Sequence, residues 1–236
     1  FDYKRSRECH SLFINERIAP RQHAHVLEGF MGFAETLGVP LLAAPKWTIR
    51  LLDEDIAWID KTLPAKYAVI SPAASNAERN WLPERYAQIA DYISAQGIDV
   101  ILCGGPSALD QQTSDAIMSH TNNISQNLVG QTTLIRLLAV LNKALFVIAP
   151  DTGPAHMATT QGTPVVGLYA HSNPKRTGPY NSLDTTASAY DTCIQHQFGK
   201  SWRALPWGKR AIGTQLMHEI SVGQVKTLIQ KVLHRL

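Results

Sequence analysis

The sequence predicts an α/β protein built on a doubly wound parallel sheet. Three observations carry this. From Tyr67 onward, apolar runs of strand length alternate with helix-period segments. One run, Ala144 to Ala149, contains nothing that asks for water, as expected of a strand covered on both faces. The strand candidates end in loops rich in Gly, Pro and Ser, the usual exits from strand to helix.

Taken in order, Tyr67 to Ser71 reads as a strand, followed by the loop Pro72 to Leu82. A helix is expected from Pro83 to Ala95, with Pro in its first turn, Tyr86, Ile89, Ala90 and Ile93 on one face, and Gly97 as its stop. Ile98 to Cys103 is the second strand, ending in Gly104-Gly105-Pro106, after which Ser107 caps a helix reaching about His120. Leu128-Val129 reads as a short strand, and Gln131-Thr132-Thr133 introduces a helix carrying Leu134, Ile135, Leu137, Leu138 and Leu141. Ala144 to Ala149 is the central strand, Pro164 to Tyr169 the next, giving four or five βα units. A last helix, Ser221 to Leu236, places Val222, Val225, Leu228, Ile229 and Val232 on one face, to pack on this domain or an earlier one.

Residues 1 to about 50 do not join that rhythm. They hold a basic opening, a helix around His25 to Leu37 and a Pro40 to Pro45 stretch that reads as a linker. The domains expected are therefore 1–55, the tail of a preceding domain plus linker, and 56–236, the α/β domain with its C-terminal helix. The start, Phe1-Asp2-Tyr3-Lys4-Arg5, has neither an initiator Met nor a signal sequence and reads as the middle of a longer chain.

The 236 residues are 44% hydrophobic, with 22 Lys+Arg against 19 Asp+Glu, which excludes a disordered chain, a collagen and a coiled coil. A net charge of +3 is too small to imply nucleic acid. No apolar stretch approaches the roughly 20 residues of a membrane span. Cys9, Cys103 and Cys193 are odd in number, widely spaced and outside any CxxC, so neither a disulfide framework nor a zinc site is expected, and a reducing cytoplasm fits. His23 and His25 lack a companion carboxylate or thiol; no metal is expected. From Thr192 to His218 there is no acidic residue, while Lys200, Arg203, Lys209 and Arg210 lie among Trp202 and Trp207. Two readings fit that segment: a basic loop whose tryptophans pack on the domain, or a peripheral contact with an anionic substrate or membrane surface.

Ligands of open parallel sheets bind beyond the carboxyl ends of the strands, so the loops there should share one crevice. Asp151-Thr152-Gly153-Pro154-Ala155-His156 joins a strand directly to a helix: Gly153 permits close approach, Pro154 suits the first turn, and the free amides suit a phosphate. His156 can donate to the same phosphate and Asp151 can accept from sugar hydroxyls; capping and turn geometry alone explain the pattern equally well. Ser75 and Arg79 offer a hydroxyl and a guanidinium suited to a pyrophosphate, with Trp81 as a hydrophobic anchor. Cys103-Gly104-Gly105-Pro106-Ser107 is neither GxGxxG nor GxxxxGK[ST], which disfavours a nicotinamide site and a P-loop.

Four motifs in this order, Arg79-Asn80-Trp81-Leu82-Pro83, Cys103-Gly104-Gly105-Pro106, Asp151 to Ala158, and Gly167-Leu168-Tyr169 followed by Asn173 to Tyr180, resemble the ADP-heptose:lipopolysaccharide heptosyltransferases of glycosyltransferase family 9. The resemblance covers about residues 65 to 180 and implies a Rossmann-like domain, the donor-binding half of a GT-B glycosyltransferase. It implies inverting transfer of a heptose from ADP-heptose to the lipopolysaccharide inner core, in the cytoplasm and peripheral to the inner membrane, with no cofactor beyond the ADP-sugar substrate. On this likeness the donor is held by Ser75, Arg79, Thr132, Asp151, Thr152, Gly153 and His156, and Arg5, Arg7 and Arg176 face the acceptor. Two departures bear on the donor. Ala74-Ser75 and Arg79 stand where some members have a Thr-Thr pair followed by Lys, and Ala108 stands near the place of an acidic ribose ligand, with Asp110 the nearest carboxylate. The family's catalytic carboxylate belongs to its first domain, and no matching βα unit is found, so this chain is expected to bind donor and to catalyse poorly. A non-catalytic nucleotide-sugar-binding module, and a same-fold transferase using another nucleotide sugar, are the alternatives.

Overall fold

The computed structural model describes residues 9–21, 24–40 and 45–236. Two helices, α1 (Val26–Thr36) and α2 (Asp53–Thr62), precede the sheet. Strands β1 (Tyr67–Ile70), β2 (Asp99–Leu102) and β3 (Gln126–Asn127) alternate with α3 (Pro83–Ser94), α4 (Ala108–Met118) and α5 (Leu134–Lys143). The second half runs β4 (Val147–Pro150), α6 (Gly153–Thr160), β5 (Val165–Tyr169), the short α7 (Pro174–Thr177), β6 (Thr186–Ser188), α8 (Tyr190–Phe198) and α9 (Val222–Leu233). The strand order is β3-β2-β1-β4-β5-β6 and all five pairings are parallel, the doubly wound arrangement.

The period-2 alternation of each strand divides its side chains between two layers. Ala68, Ile70, Val100, Leu102, Ile148 and Val166 meet α3, α8 and α9, while Tyr67, Val69, Ile101, Val147 and Val165 meet α2, α5 and α6. Both faces are dry, which explains why β1 and β4 are apolar throughout. Trp81 is buried, stacks edge-on against Tyr86 at 5.1 Å and donates from Nε1 to the Ile220 carbonyl at 3.0 Å. It is the anchor expected of it. The last helix, capped by Ser221, packs on α3 and on the β5 and β6 edge of this same domain.

Several boundaries differ from the sequence reading for physical reasons. The third strand is Gln126–Asn127, not Leu128-Val129: those two apolar residues are buried just past the ladder, where the Leu128 amide still donates to the Leu102 carbonyl at 2.8 Å. A sixth strand, Thr186–Ser188, was too short and too small in its side chains to register as an apolar run. Helix α2 lies across the expected 55/56 boundary and is fixed to α5 by Asp55, which accepts from Arg136 Nε at 2.8 Å.

Helix α1 is attached to the α/β domain through its N-cap. His25 Nδ1 accepts from the Leu27 amide at 3.1 Å, and its Nε2 lies 2.9 Å from the Gly178 carbonyl, so both bonds are made by the neutral tautomer that carries its proton on Nε2. A side chain at Gly178 would come within 2.5 Å of the Pro174 carbonyl, which is why that turn is glycine. Tyr180 donates to Glu28 at 3.3 Å and Trp207 Nε1 to the Ala24 carbonyl at 2.9 Å. The tryptophans of the basic segment therefore serve packing: Trp202 is buried, 5.4 Å from Trp207, with Arg203 and Lys175 over its ring.

Candidate functional site

The loops after β1, β2 and β4 enclose a cleft of about 1070 Å³. Its lining includes Ser75, Arg79, Asp151, Thr152, Gly153 and His156, six of the seven residues expected at the donor. Thr132 is half-buried in the turn before α5, whose N-cap is its neighbour Thr133, and it does not line the cleft. Arg176 sits on α7 outside the cleft, close enough to His25 and Tyr190 to influence both. Arg5, Arg7 and His23 lie outside the described residues.

Asp151, at the end of β4, holds three loops in register. Ser172, beyond β5, donates to its Oδ2 at 2.6 Å. Arg79 NH1 lies 3.6 Å from the same oxygen and donates to the Asp151 carbonyl at 3.4 Å. His156 Nε2 lies 3.9 Å from Oδ1. The Arg79 and Asp151 side chains are 18% and 14% exposed, so this pair is partly desolvated and its attraction is larger than at an open surface. Ser172 was not anticipated: a single serine after a strand carries no pattern, and only the fold brings it to the carboxylate.

Across the cleft, Asp110 organises the loop after β2. Its Oδ1 accepts from the Gly105 amide at 2.9 Å, and its other oxygen is bonded to the Ser107 hydroxyl. Gly104 makes room for it, since a Cβ there would stand 2.7 Å from Asp110 Oδ1. Asp110 lines the cleft, but with both oxygens engaged in the loop.

Helix α6 begins at Gly153, which lines the cleft, and nothing lies within 4 Å of the place a Cβ would occupy there. Its N-cap, Thr152, makes no capping bond, and the Thr152 hydroxyl is buried without a partner. Arg79 Nε, Ser71 Oγ and Asn173 Nδ2 are likewise buried and unpartnered. Buried polar atoms are rarely left so, and each costs about 1–3 kcal/mol. Their concentration at the ends of β1, β4 and β5 marks a place built to be completed by hydrogen-bonding groups of a ligand. Arg79, the α6 amides and a neutral His156 suit a diphosphate. Among the described residues no group of three His, Cys, Asp or Glu could hold a metal ion, and no helix is long and apolar enough to cross a membrane.

Burial holds the pKa of His156 below the usual histidine value, with Asp151 opposing the shift; burial does the same to His25 and His171, where Arg79 adds repulsion at His171. In all three the unfolded chain binds the proton more tightly, so stability is lost as pH falls through about 6.5 toward the folded values. Asp184, held down to about 2 by Arg235 and Lys231, titrates well below that window. The urea midpoint should therefore fall between pH 7 and pH 5, less steeply in His171→Gln; a midpoint that does not move would contradict the lowered pKa values of these imidazoles, two of them buried and His156 half-exposed.

A family model described as glycosyltransferase family 9 (heptosyltransferase) matches residues 1–207. The chain is 44% identical over 234 residues to the lipopolysaccharide core heptosyltransferase OpsX of Haemophilus influenzae, an alignment covering 97% of this chain and 67% of that protein. It is 28% identical over 159 residues to lipopolysaccharide heptosyltransferase 3 of Escherichia coli, covering 64% and 46%. In fold it is similar to a family 9 glycosyltransferase of Veillonella parvula, with TM-score 0.73 and 22% identity over 94% of this chain and 63% of the other. It is also similar to E. coli heptosyltransferase WaaC with ADP, with TM-score 0.65 and 19% identity over 94% and 61%. The chain spans about half to two thirds of the length of these relatives. With the family model matching most of its residues, the chain belongs to glycosyltransferase family 9, the heptosyltransferases.

Proposed function

We propose that the cleft holds ADP-heptose and that this chain serves transfer of the heptose to the lipopolysaccharide inner core with inversion at the anomeric carbon. The observation that carries the reading is the Arg79, Asp151 and His156 cluster at the start of α6, in a cleft where Arg79 Nε and the Thr152 hydroxyl are buried without partners. Departure of the diphosphate needs stabilisation of developing negative charge. Arg79 supplies a charged donor, the α6 amides supply a fixed dipole, and neutral His156 supplies one N–H. Asp151 repels the phosphates and is placed to accept from sugar hydroxyls while keeping Arg79 aimed. Attack by the acceptor also requires a base for its hydroxyl proton. Asp110 and Asp151, the carboxylates lining the cleft among the described residues, are both bound into the loops and serve as positioning groups.

The relatives' names support the donor and acceptor assigned: one is a lipopolysaccharide core heptosyltransferase, and another is solved with ADP. Calorimetry with ADP, UDP and GDP tests the donor directly. ADP should bind best, and Arg79→Ala and His156→Ala should each weaken it by about 1–3 kcal/mol through lost charged or polar contacts. Tighter binding of UDP would overturn the assignment.

The same reading places the protein in the cytoplasm, at the face of the inner membrane. Lys200, Arg203 and Arg210 are exposed in the acid-free segment, with Lys175 exposed over the Trp202 ring, and they support peripheral contact with an anionic surface even though the tryptophans themselves are packed. Sedimentation with phosphatidylglycerol vesicles should recover the protein at low salt and release it at high salt. Absence of any salt-reversible partition would leave the segment a packing element.

A further inference from the structure

Arg79 and Asp151 stand close enough to neutralise each other, and a closed pair would serve an anion in the cleft poorly. A guanidinium and a carboxylate left to themselves meet in two parallel N–H···O bonds of about 2.7–2.9 Å. That pairing is not made. Arg79 NH1 stops 3.6 Å from Asp151 Oδ2 and donates a long bond, 3.4 Å, to the Asp151 carbonyl, while Nε is buried without a partner. The short bond at Oδ2 belongs to Ser172, whose hydroxyl donates to it at 2.6 Å.

Ser172 is held where it can do this. It is 6% exposed, just beyond the end of β5. On one side of it the His171 carbonyl accepts from the Ala211 amide at 3.0 Å, and on the other Asn173 Oδ1 accepts from the Lys175 amide at 3.0 Å, capping α7. With both neighbours tied, the hydroxyl stays in place and the carboxylate is held to it. A serine hydroxyl has one proton, and this bond uses it.

We propose that Ser172 is a positioning residue for Arg79: by engaging Asp151 Oδ2 it fixes the carboxylate and withholds it from the guanidinium fork, so that Arg79 keeps N–H groups for an anion in the cleft. The inference rests on the donor reading above. It divides the work at Asp151 in two. The charge of Asp151 draws Arg79 to the cleft, and the bond from Ser172 stops that attraction from ending in a closed ion pair. Without the hydroxyl the carboxylate turns about its own side-chain bond and takes both N–H groups of the fork. An incoming diphosphate must then break that pair before it binds, and the preorganisation of the cation is lost. Because Ser172 acts through Asp151, its effect exists only while residue 151 carries a negative charge.

Calorimetric titration of ADP into the wild-type chain, Ser172→Ala, Asp151→Asn and the double variant tests this. Ser172→Ala should bind ADP about tenfold more weakly than wild type, the loss of one charged hydrogen bond's worth of positioning. In the Asp151→Asn background, where no carboxylate can capture Arg79, the same change should alter ADP affinity by less than about twofold. Ser172→Cys, which keeps the volume of the side chain and offers only a weak donor, should show the same dependence on the background and covers the case in which the alanine variant does not fold. Equal weakening by a Ser172 substitution in both backgrounds would overturn the inference, since it would leave Ser172 a structural residue only. Unchanged ADP affinity in Ser172→Ala and Ser172→Cys would overturn it as well. Failure of the wild-type chain to bind ADP at all would instead overturn the donor reading, and this inference with it.

Discussion

Strands β1 and β4 lie side by side in the sheet, but the chain leaves them in opposite directions, toward β2 on one flank and β5 on the other. The loops that follow must therefore diverge, and the gap between them is the cleft. The candidate site is arranged around that reversal. Asp151 ends β4 and faces the gap, where it bonds Ser172 from the β5 side and faces Arg79 from the β1 side. One carboxylate thus couples loops that the topology separates. Its cost is partial desolvation of a charge, offset by the guanidinium beside it and by the Ser172 hydroxyl.

The electrostatic design follows. On the proposed function, an anion entering the cleft meets the aimed Arg79 guanidinium and the start of α6, so little reorganisation is needed when charge develops on a departing group. Partial burial lowers the pKa of His156, which favours a neutral imidazole there over a second cation. The unpartnered hydroxyl of Thr152 and Nε of Arg79 belong to the same economy: stability is given up in the free protein at the places a ligand would restore it.

Much of this was legible in the sequence, and the reason is burial. Strands covered on both faces are continuous apolar runs, so β1, β2, β4 and β5 stood out within one to three residues, and the loops after them could be assigned to one crevice. Asp151 and His156 were singled out because a strand exit feeds a helix there through Gly-Pro, and Arg79 because the loop after β1 offers a guanidinium fork. The edges were not legible. Gln126–Asn127 and Thr186–Ser188 need only a ladder on one side, and their side chains carry no hydrophobic signal. Thr132 was grouped with the site by resemblance, yet it lies in the turn before α5 outside the cleft. Ser172 and the His25 cap were invisible for the opposite reason: each acts through a partner 21 or 153 positions away, a distance along the chain that no local pattern spans.

The central claim is that Arg79, Thr152 and the start of α6 form an unfinished hydrogen-bonding shell that a diphosphate completes. A crystal structure of the chain with ADP tests it most directly. The account predicts phosphate oxygens within hydrogen-bonding distance of the Arg79 guanidinium, the Thr152 hydroxyl and the Gly153 and Ala155 amides. Well-ordered ADP with its diphosphate elsewhere, and those groups still without partners, would contradict it.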